Sequence, residues 1–236
     1  MTEPHPLLAH FTDAARGRFP PCDGGVTVLP PLPGGLEASV AFTGHAVIAT
    51  ALDPAGVLAL GPDGFGASLA PDFLRHLAGP DGTIGVTDAT LTARGTGGTP
   101  RLAELGDEAH EHPRVLHARE LRSGIKVYGD ERGLITLADG LAGRRELSIE
   151  LHAPHHGSQG HGRGLLADAL TLVPAGEPLF AAVSPGNARS LRAFLACGFT
   201  PIGSEVILRP HGAAVATSRS TTRTTAPEPS APAPCG

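Results

Sequence analysis

Gln159-Gly160-His161-Gly162-Arg163-Gly164 joins two stretches of different period, and its reading decides the fold of the C-terminal half of the chain. Before it, Glu146 to Leu151 alternates charged or polar residues with apolar ones, the pattern of a strand that buries one face. After it, Leu165, Leu166, Ala169, Leu170 and Val173 recur at the spacing of a helix packed on a sheet. In such a strand, turn and helix, the first backbone N–H groups of the helix have no partner inside it. Glycine at 160, 162 and 164 lets a phosphate approach that main chain, and the aligned peptide dipoles favour negative charge there. The same turn also serves as no more than a tight loop, so the residues beyond it have to choose.

Gly162-x-Gly164-x-x-Ala167 fits a dinucleotide-binding fingerprint as well, but that unit needs an acidic residue about 20 positions on, at the end of the next strand. The helix stops at Pro174-Ala175-Gly176, and the apolar strand Leu179 to Val183 ends in Val183-Ser184, which removes the dinucleotide reading. Asn187 then caps a helix with Leu191, Phe194 and Leu195 on one face, ended by Gly198, and Glu205 to Leu208 makes a last strand. Upstream, Val115 to Arg122, Ile125 to Tyr128, Leu134 to Ala138 and Glu146 to Leu151 read as successive strands of a meander.

Gln159-x-x-Gly162-x-Gly164 resembles the signature of the GNAT family of N-acetyltransferases: Gln or Arg, two residues, Gly, one residue, then Gly or Ala. Asn187-Ala-Arg-Ser190-Leu-Arg-Ala-Phe194-Leu-Ala-Cys-Gly198-Phe199 resembles the family's next landmark, an Asn-opened helix ending in Gly-Phe. The resemblance runs from Arg114 to Arg209. It implies the acyl-CoA N-acyltransferase fold, an α/β arrangement with a mixed, mostly antiparallel sheet flanked by helices. That sheet splays between its fourth and fifth strands to admit pantetheine. Acetyl-CoA is the implied co-substrate, with its diphosphate on Gln159, Gly160, His161, Gly162, Arg163 and Gly164. Pantetheine would bond the main chain of Leu151, His152 and Ala153, with Asn187 reaching it from the other side. The implied reaction is acetylation of an amine of a small molecule or peptide. A non-catalytic coenzyme A-binding or sensing module is the alternative.

Three departures from the family stand out. The link Pro154 to Gln159 is about two residues longer than usual. Phe194 occupies the position, seven after the helix-opening Asn, where the family often has a tyrosine acid. Only one strand follows that helix, where the family usually ends in a two-strand hairpin.

Amine acetylation needs a neutral nucleophile, so a carboxylate commonly takes the ammonium proton, directly or through water. Glu146 and Glu150 are the catalytic candidates; even spacing on one strand puts them on the same side of the sheet. Glu146 resembles the position of the glutamate base in histone acetyltransferases of the family. Either residue reads equally as a solvated or arginine-paired glutamate. Arg144, Arg145 and Arg163 suit phosphate through their guanidinium forks, surface arginine being the plainer reading. His152, His155, His156 and His161 lie close together but without cysteine or a helical His-x-x-x-His pair, and no metal centre is expected.

The first 110 residues lie outside the resemblance. Leu7, Leu8, Phe11, Ala14 and Ala15 suggest a short helix, Ala38 to Ala51 one or two strands, Pro71 to Leu77 a helix and Ile84 to Leu91 a strand. A Gly-Thr-rich loop from Gly95 and a polar run to Pro113 then suggest a boundary. The expected organisation is an additional N-terminal α/β domain of unknown role (1–112), the acetyltransferase-like domain (113–212) and a tail (213–236) too poor in apolar residues to order.

The 236 residues are 41% hydrophobic and 17% charged, which suits a soluble globular protein. A net charge of -5, with Lys126 as the one lysine and no basic block, argues against nucleic acid. The absence of a long apolar run argues against a membrane, and a cytoplasmic location is expected. Three scattered cysteines suggest neither zinc nor a redox pair. A homodimer is left open.

Overall fold

The computed structural model describes residues 3–152 and 160–211. In chain order these fold as helix α1 (Leu7–Ala14), strands β1 (Val26–Leu29), β2 (Glu37–Phe42) and β3 (His45–Ala49), helices α2 (Pro54–Ala59) and α3 (Pro71–Ala78), and strands β4 (Thr83–Ile84), β5 (Asp88–Arg94) and β6 (Ala103–Glu104). Helix α4 (Pro113–Arg119), strands β7 (Ser123–Asp130), β8 (Gly133–Asp139) and β9 (Arg145–Leu151), helix α5 (His161–Ala169), strand β10 (Pro178–Val183), helix α6 (Ala188–Ala196) and strand β11 (Thr200–Arg209) complete them.

All the strands join one mixed, mostly antiparallel sheet in the order β1-β3-β2-β11-β5-β10-β9-β8-β7-β6, with β4 paired to the end of β11. Two neighbouring pairs are parallel, β1 with β3 and β9 with β10. Alternation sorts the side chains of each strand to two faces. Leu91, Ala93, Ile135, Leu147, Leu179 and Ala181 meet Leu165, Leu166 and Ala169 of α5 and Phe194 of α6 on one face. Phe180, Val40 and Phe42 meet Leu7, Phe11 and Ala14 of α1 on the other.

β5 differs most from the sequence expectation. Read as part of an N-terminal domain, it lies between β10 and β11, antiparallel to both, with Val183 opposite Ala89 and Glu205 opposite Asp88. The sheet therefore runs without a break across the boundary drawn at 112 and 113. Residues 88–94 thus supply a neighbour for β11. The Gly-Thr-rich stretch from Gly95 carries the chain from β5 to the far edge of the sheet, where β6 pairs with β7.

Val115 to Arg122, read as a strand, is instead largely the helix α4. Pro113 supplies a preset first helical position, and the His112 side chain accepts a hydrogen bond from the Arg114 N–H. Val115 and Ala118, three apart, are the residues it buries. The tail from 213, together with Ala153, His155, His156 and Gln159, lies outside the described residues. Among the described residues no helix is long and apolar enough to cross a membrane.

Candidate functional site

Strands β9 and β10 run parallel but share one registered position, Glu146 opposite Phe180. Beyond it they part. A cleft of about 1130 Å3 opens there, lined by Ile149, Glu150 and Leu151 of β9, Gly160, Gly162, Arg163 and Leu166 at the start of α5, and Asn187 to Ser190 and Arg192 to Ala196 along α6, with Arg114 of α4. Ile149 and Leu151 pack with the α5 face of the sheet, whereas Glu150 pairs across β8 with Leu134, whose side chain packs beside α4 on the opposite face. The cleft is thus bordered from both faces of the sheet.

The turn into α5 is built on Gly160, which caps the helix at φ 90°, a left-handed conformation that favours glycine. Gly164 N–H returns to Gly160 O at 2.8 Å, so the N–H groups of His161, Gly162 and Arg163 are the ones left at the helix end. At Gly162 a Cβ would meet only Leu151 Cδ1 at 3.7 Å and Ala193 Cβ at 4.0 Å, ordinary contacts, so packing alone does not require glycine there. Gly164 has a structural reason instead: a Cβ would lie 2.8 Å from Arg132 Nη1, and Arg132 is held by Asp130 and by Asp168 of α5.

Asn187 lines the cleft and caps α6, its Oδ1 accepting from the Ser190 N–H at 3.1 Å, which leaves its NH2 group as a donor. His161 is exposed at the first position of α5. His152 follows β9 and donates its N–H to Arg132 O at 3.2 Å. Phe194, the aromatic ring where a tyrosine acid was looked for, is 2% exposed and meets Phe199 edge-on at 4.9 Å. It also forms part of the cleft wall.

The two glutamates of β9 have different surroundings. Glu150 borders the cleft and accepts from Arg114 Nε at 2.9 Å and Nη2 at 2.6 Å, with both side chains over a third exposed. Glu146 does not line the cleft. It is 4% exposed and bound by Arg122 and by Arg144, whose Nε and Nη2 lie 3.1 and 3.0 Å from its Oε2. Burial alone would raise the Glu146 carboxyl, but Arg144 and Arg122 hold it below the usual carboxylate value. Arg144 also donates to both oxygens of Glu205 at 2.7 Å and stacks 4.4 Å from the centre of the Phe11 ring.

Of the three arginines singled out for phosphate, only Arg163 reaches the cleft. Arg144 is fully buried in the cluster just described, and Arg145 pairs on the surface with Glu177 at 2.8 Å. Sequence reasoning passed over Arg189 and Arg192, which line the cleft from α6. Their spacing of three on the Asn-capped helix was the signal that could have found them. Among the described residues the charged wall is thus Arg114, Arg163, Arg189 and Arg192 against Glu150, a surplus of positive charge suited to an anion.

No protein-family model matches the chain, and no curated protein matches it. Among solved structures it is similar to a protein of Novosphingobium aromaticivorans described as belonging to the GNAT family of acetyltransferases, at a TM-score of 0.37 and 16% identity, over 56% of this chain and 68% of that one.

Proposed function

We propose that this chain is an acetyl-CoA-dependent N-acetyltransferase acting on an amine of a small molecule or peptide. The observation that carries the reading is the parting of β9 and β10 after their single registered position, with a cleft of about 1130 Å3 at the gap. That volume suits a ligand larger than an ordinary drug-sized molecule. One end has the free N–H groups of α5 with Arg163 beside them, and α6 adds Arg189 and Arg192, a set of donors suited to a diphosphate. Leu151 and Asn187 flank the gap as pantetheine would need.

Acetyl-CoA, when bound, supplies the activated acyl group as a thioester. On the α4 side Glu150 is the carboxylate placed to take a proton from the incoming ammonium, with Arg114 orienting it. We assign Glu146 the role of a buried anchor that fixes the base of the splay, in place of the catalytic role first expected. His161 sits beside the phosphate end. Gln159 and Ala153 keep the cofactor-binding roles that the family resemblance implies.

The absence of a hydroxyl at Phe194 supports a second reading, a module that binds coenzyme A without turnover. The two readings separate in one assay: release of free thiol from acetyl-CoA against a panel of small amines and N-terminal peptides. Thiol release that depends on the amine and falls in Glu150→Gln supports the enzyme. Binding without release for any amine supports the module.

A further inference from the structure

We propose that Thr27, His45 and Asp23 form a second reactive centre, a hydroxyl nucleophile with its base and orienting carboxylate, that takes a small carboxylic ester. It stands independently of acetyl transfer. It lies at β1, with five strands of the sheet between it and β9. No residue lines both cavities.

His45 opens β3 and is 8% exposed, with both ring nitrogens engaged. Its Nδ1 lies 2.9 Å from Asp23 Oδ1, and its Nε2 lies 2.9 Å from Thr27 Oγ1. An ionised carboxylate only accepts, so Asp23 assigns the hydrogen to Nδ1 and leaves the Nε2 lone pair facing the Thr27 hydroxyl. Thr27 is therefore the donor and Nε2 the acceptor, the order a general base requires. Asp23 is itself anchored by the Gly25 N–H at 2.7 Å. The hydrogen bond from His45, then that of Gly25, holds its carboxyl below the usual value and hence ionised at neutral pH.

Strand register fixes the other pair. Thr27 lies opposite Val47 in the parallel ladder of β1 and β3, and His45, two residues before Val47, projects to the same face. A cavity of about 400 Å3 is open to this pair, walled by Phe19, Pro20 and Pro21, with His10, Asp13 and Arg18 also on its lining. Its size suits a small acyl ester, and Arg18 is the cationic side chain on its lining, paired there with Asp13.

In the first step Thr27 Oγ bonds to the acyl carbon as its proton passes to His45 Nε2. The bond from that carbon to the alcohol oxygen breaks, and the imidazolium returns the proton to the departing oxygen. Water then attacks the Thr27 ester and gives a proton to Nε2, which passes it to Thr27 Oγ as the carboxylic acid leaves. Nothing is oxidised or reduced, and Asp23 stays ionised throughout.

The test uses the full chain with 4-nitrophenyl acetate as substrate and diisopropyl fluorophosphate as label. Hydrolysis and an adduct mapped to Thr27 by peptide mass are expected. Thr27→Val keeps the β-branched shape on its strand and is expected to lower the rate at least about 100-fold and remove the adduct. Asp23→Asn, at an exposed position, is expected to lower it by a similar factor by releasing the tautomer. The proposal is overturned by a wild type that neither hydrolyses the ester nor labels at Thr27, or by a folded Thr27→Val or Asp23→Asn that keeps the wild-type rate.

Discussion

Asp88 of β5 stands directly opposite Glu205 of β11, carboxylate beside carboxylate in one antiparallel ladder. Arg144 and Thr90 take up the charge of Glu205, whereas the half-buried Asp88 carboxylate makes no hydrogen bond or ion pair among the described residues. Burial first, then Glu205 and Glu146, push its carboxyl up to about 6. From about pH 4 to 6 the folded chain keeps a proton that the unfolded chain has released, so stability from this group is lost as pH rises through that window. Asp88→Asn is therefore expected to stabilise the protein at pH 7.5 by about 1 kcal/mol, a figure reduced for the solvent that reaches the group. No gain is expected at pH 4. Urea midpoints at the two pH values check this, and equal midpoints for variant and wild type at pH 7.5 would contradict it.

Arg144 has no exposure and satisfies two buried carboxylates at once. Removing it leaves Glu146 with Arg122 alone and Glu205 with a hydroxyl, so Arg144→Met is expected to cost about 3–5 kcal/mol. Thermal unfolding measures it. A loss under about 1 kcal/mol would mean that the cluster is not the anchor described.

The glutamates of β9 separate by readout. Glu146→Gln breaks two buried ion pairs and should lower the melting temperature, whereas Glu150→Gln, over a third exposed, should leave it nearly unchanged. In the acetyltransferase reading Glu150→Gln lowers kcat about 100-fold or more. Full turnover in Glu150→Gln would remove it as the base.

β5 makes the N-terminal residues part of the sheet, and a fragment starting at 113 would leave β10 and β11 without the strand between them. Such a fragment is expected not to fold, by circular dichroism and by resistance to protease. A folded 113–236 fragment that still binds acetyl-CoA would show that a separable domain begins at 113.

The elements with a strong period were legible in the chain: β8, β9, α5, β10 and the Asn187-capped α6 fall where alternation, a three-to-four spacing and a cap placed them. Partners were not. Nothing local in Asp88 to Arg94 says that its neighbours are strands from the other half of the chain, because pairing at that separation is decided by the whole sheet. The same holds for Glu146 and Glu150. Period put both on one side of β9, but only the positions of Arg144, Arg122 and Arg114 distinguish a buried anchor from a cleft carboxylate. Val115 to Arg122 failed for a different reason, since a short mixed run fits either period and the proline that opens the helix was read as marking a boundary.

Phe194→Tyr tests the missing acid. The ring is 2% exposed but forms part of the cleft wall, so a hydroxyl that reaches the cleft finds partners there. If thiolate protonation limits the rate, turnover rises with little change in melting temperature. A hydroxyl trapped against Phe199 would instead cost about 1–3 kcal/mol and bring no gain.

The most direct test of the account is calorimetric titration of acetyl-CoA into wild type and Gly162→Glu. The contacts around Gly162 leave room for a side chain, so the variant should fold while placing bulk and negative charge where the α5 N–H groups face the cleft. Binding by wild type and its loss in a folded Gly162→Glu is the expected result. Unchanged affinity in that variant, or no binding by wild type, would contradict the assignment of the cleft.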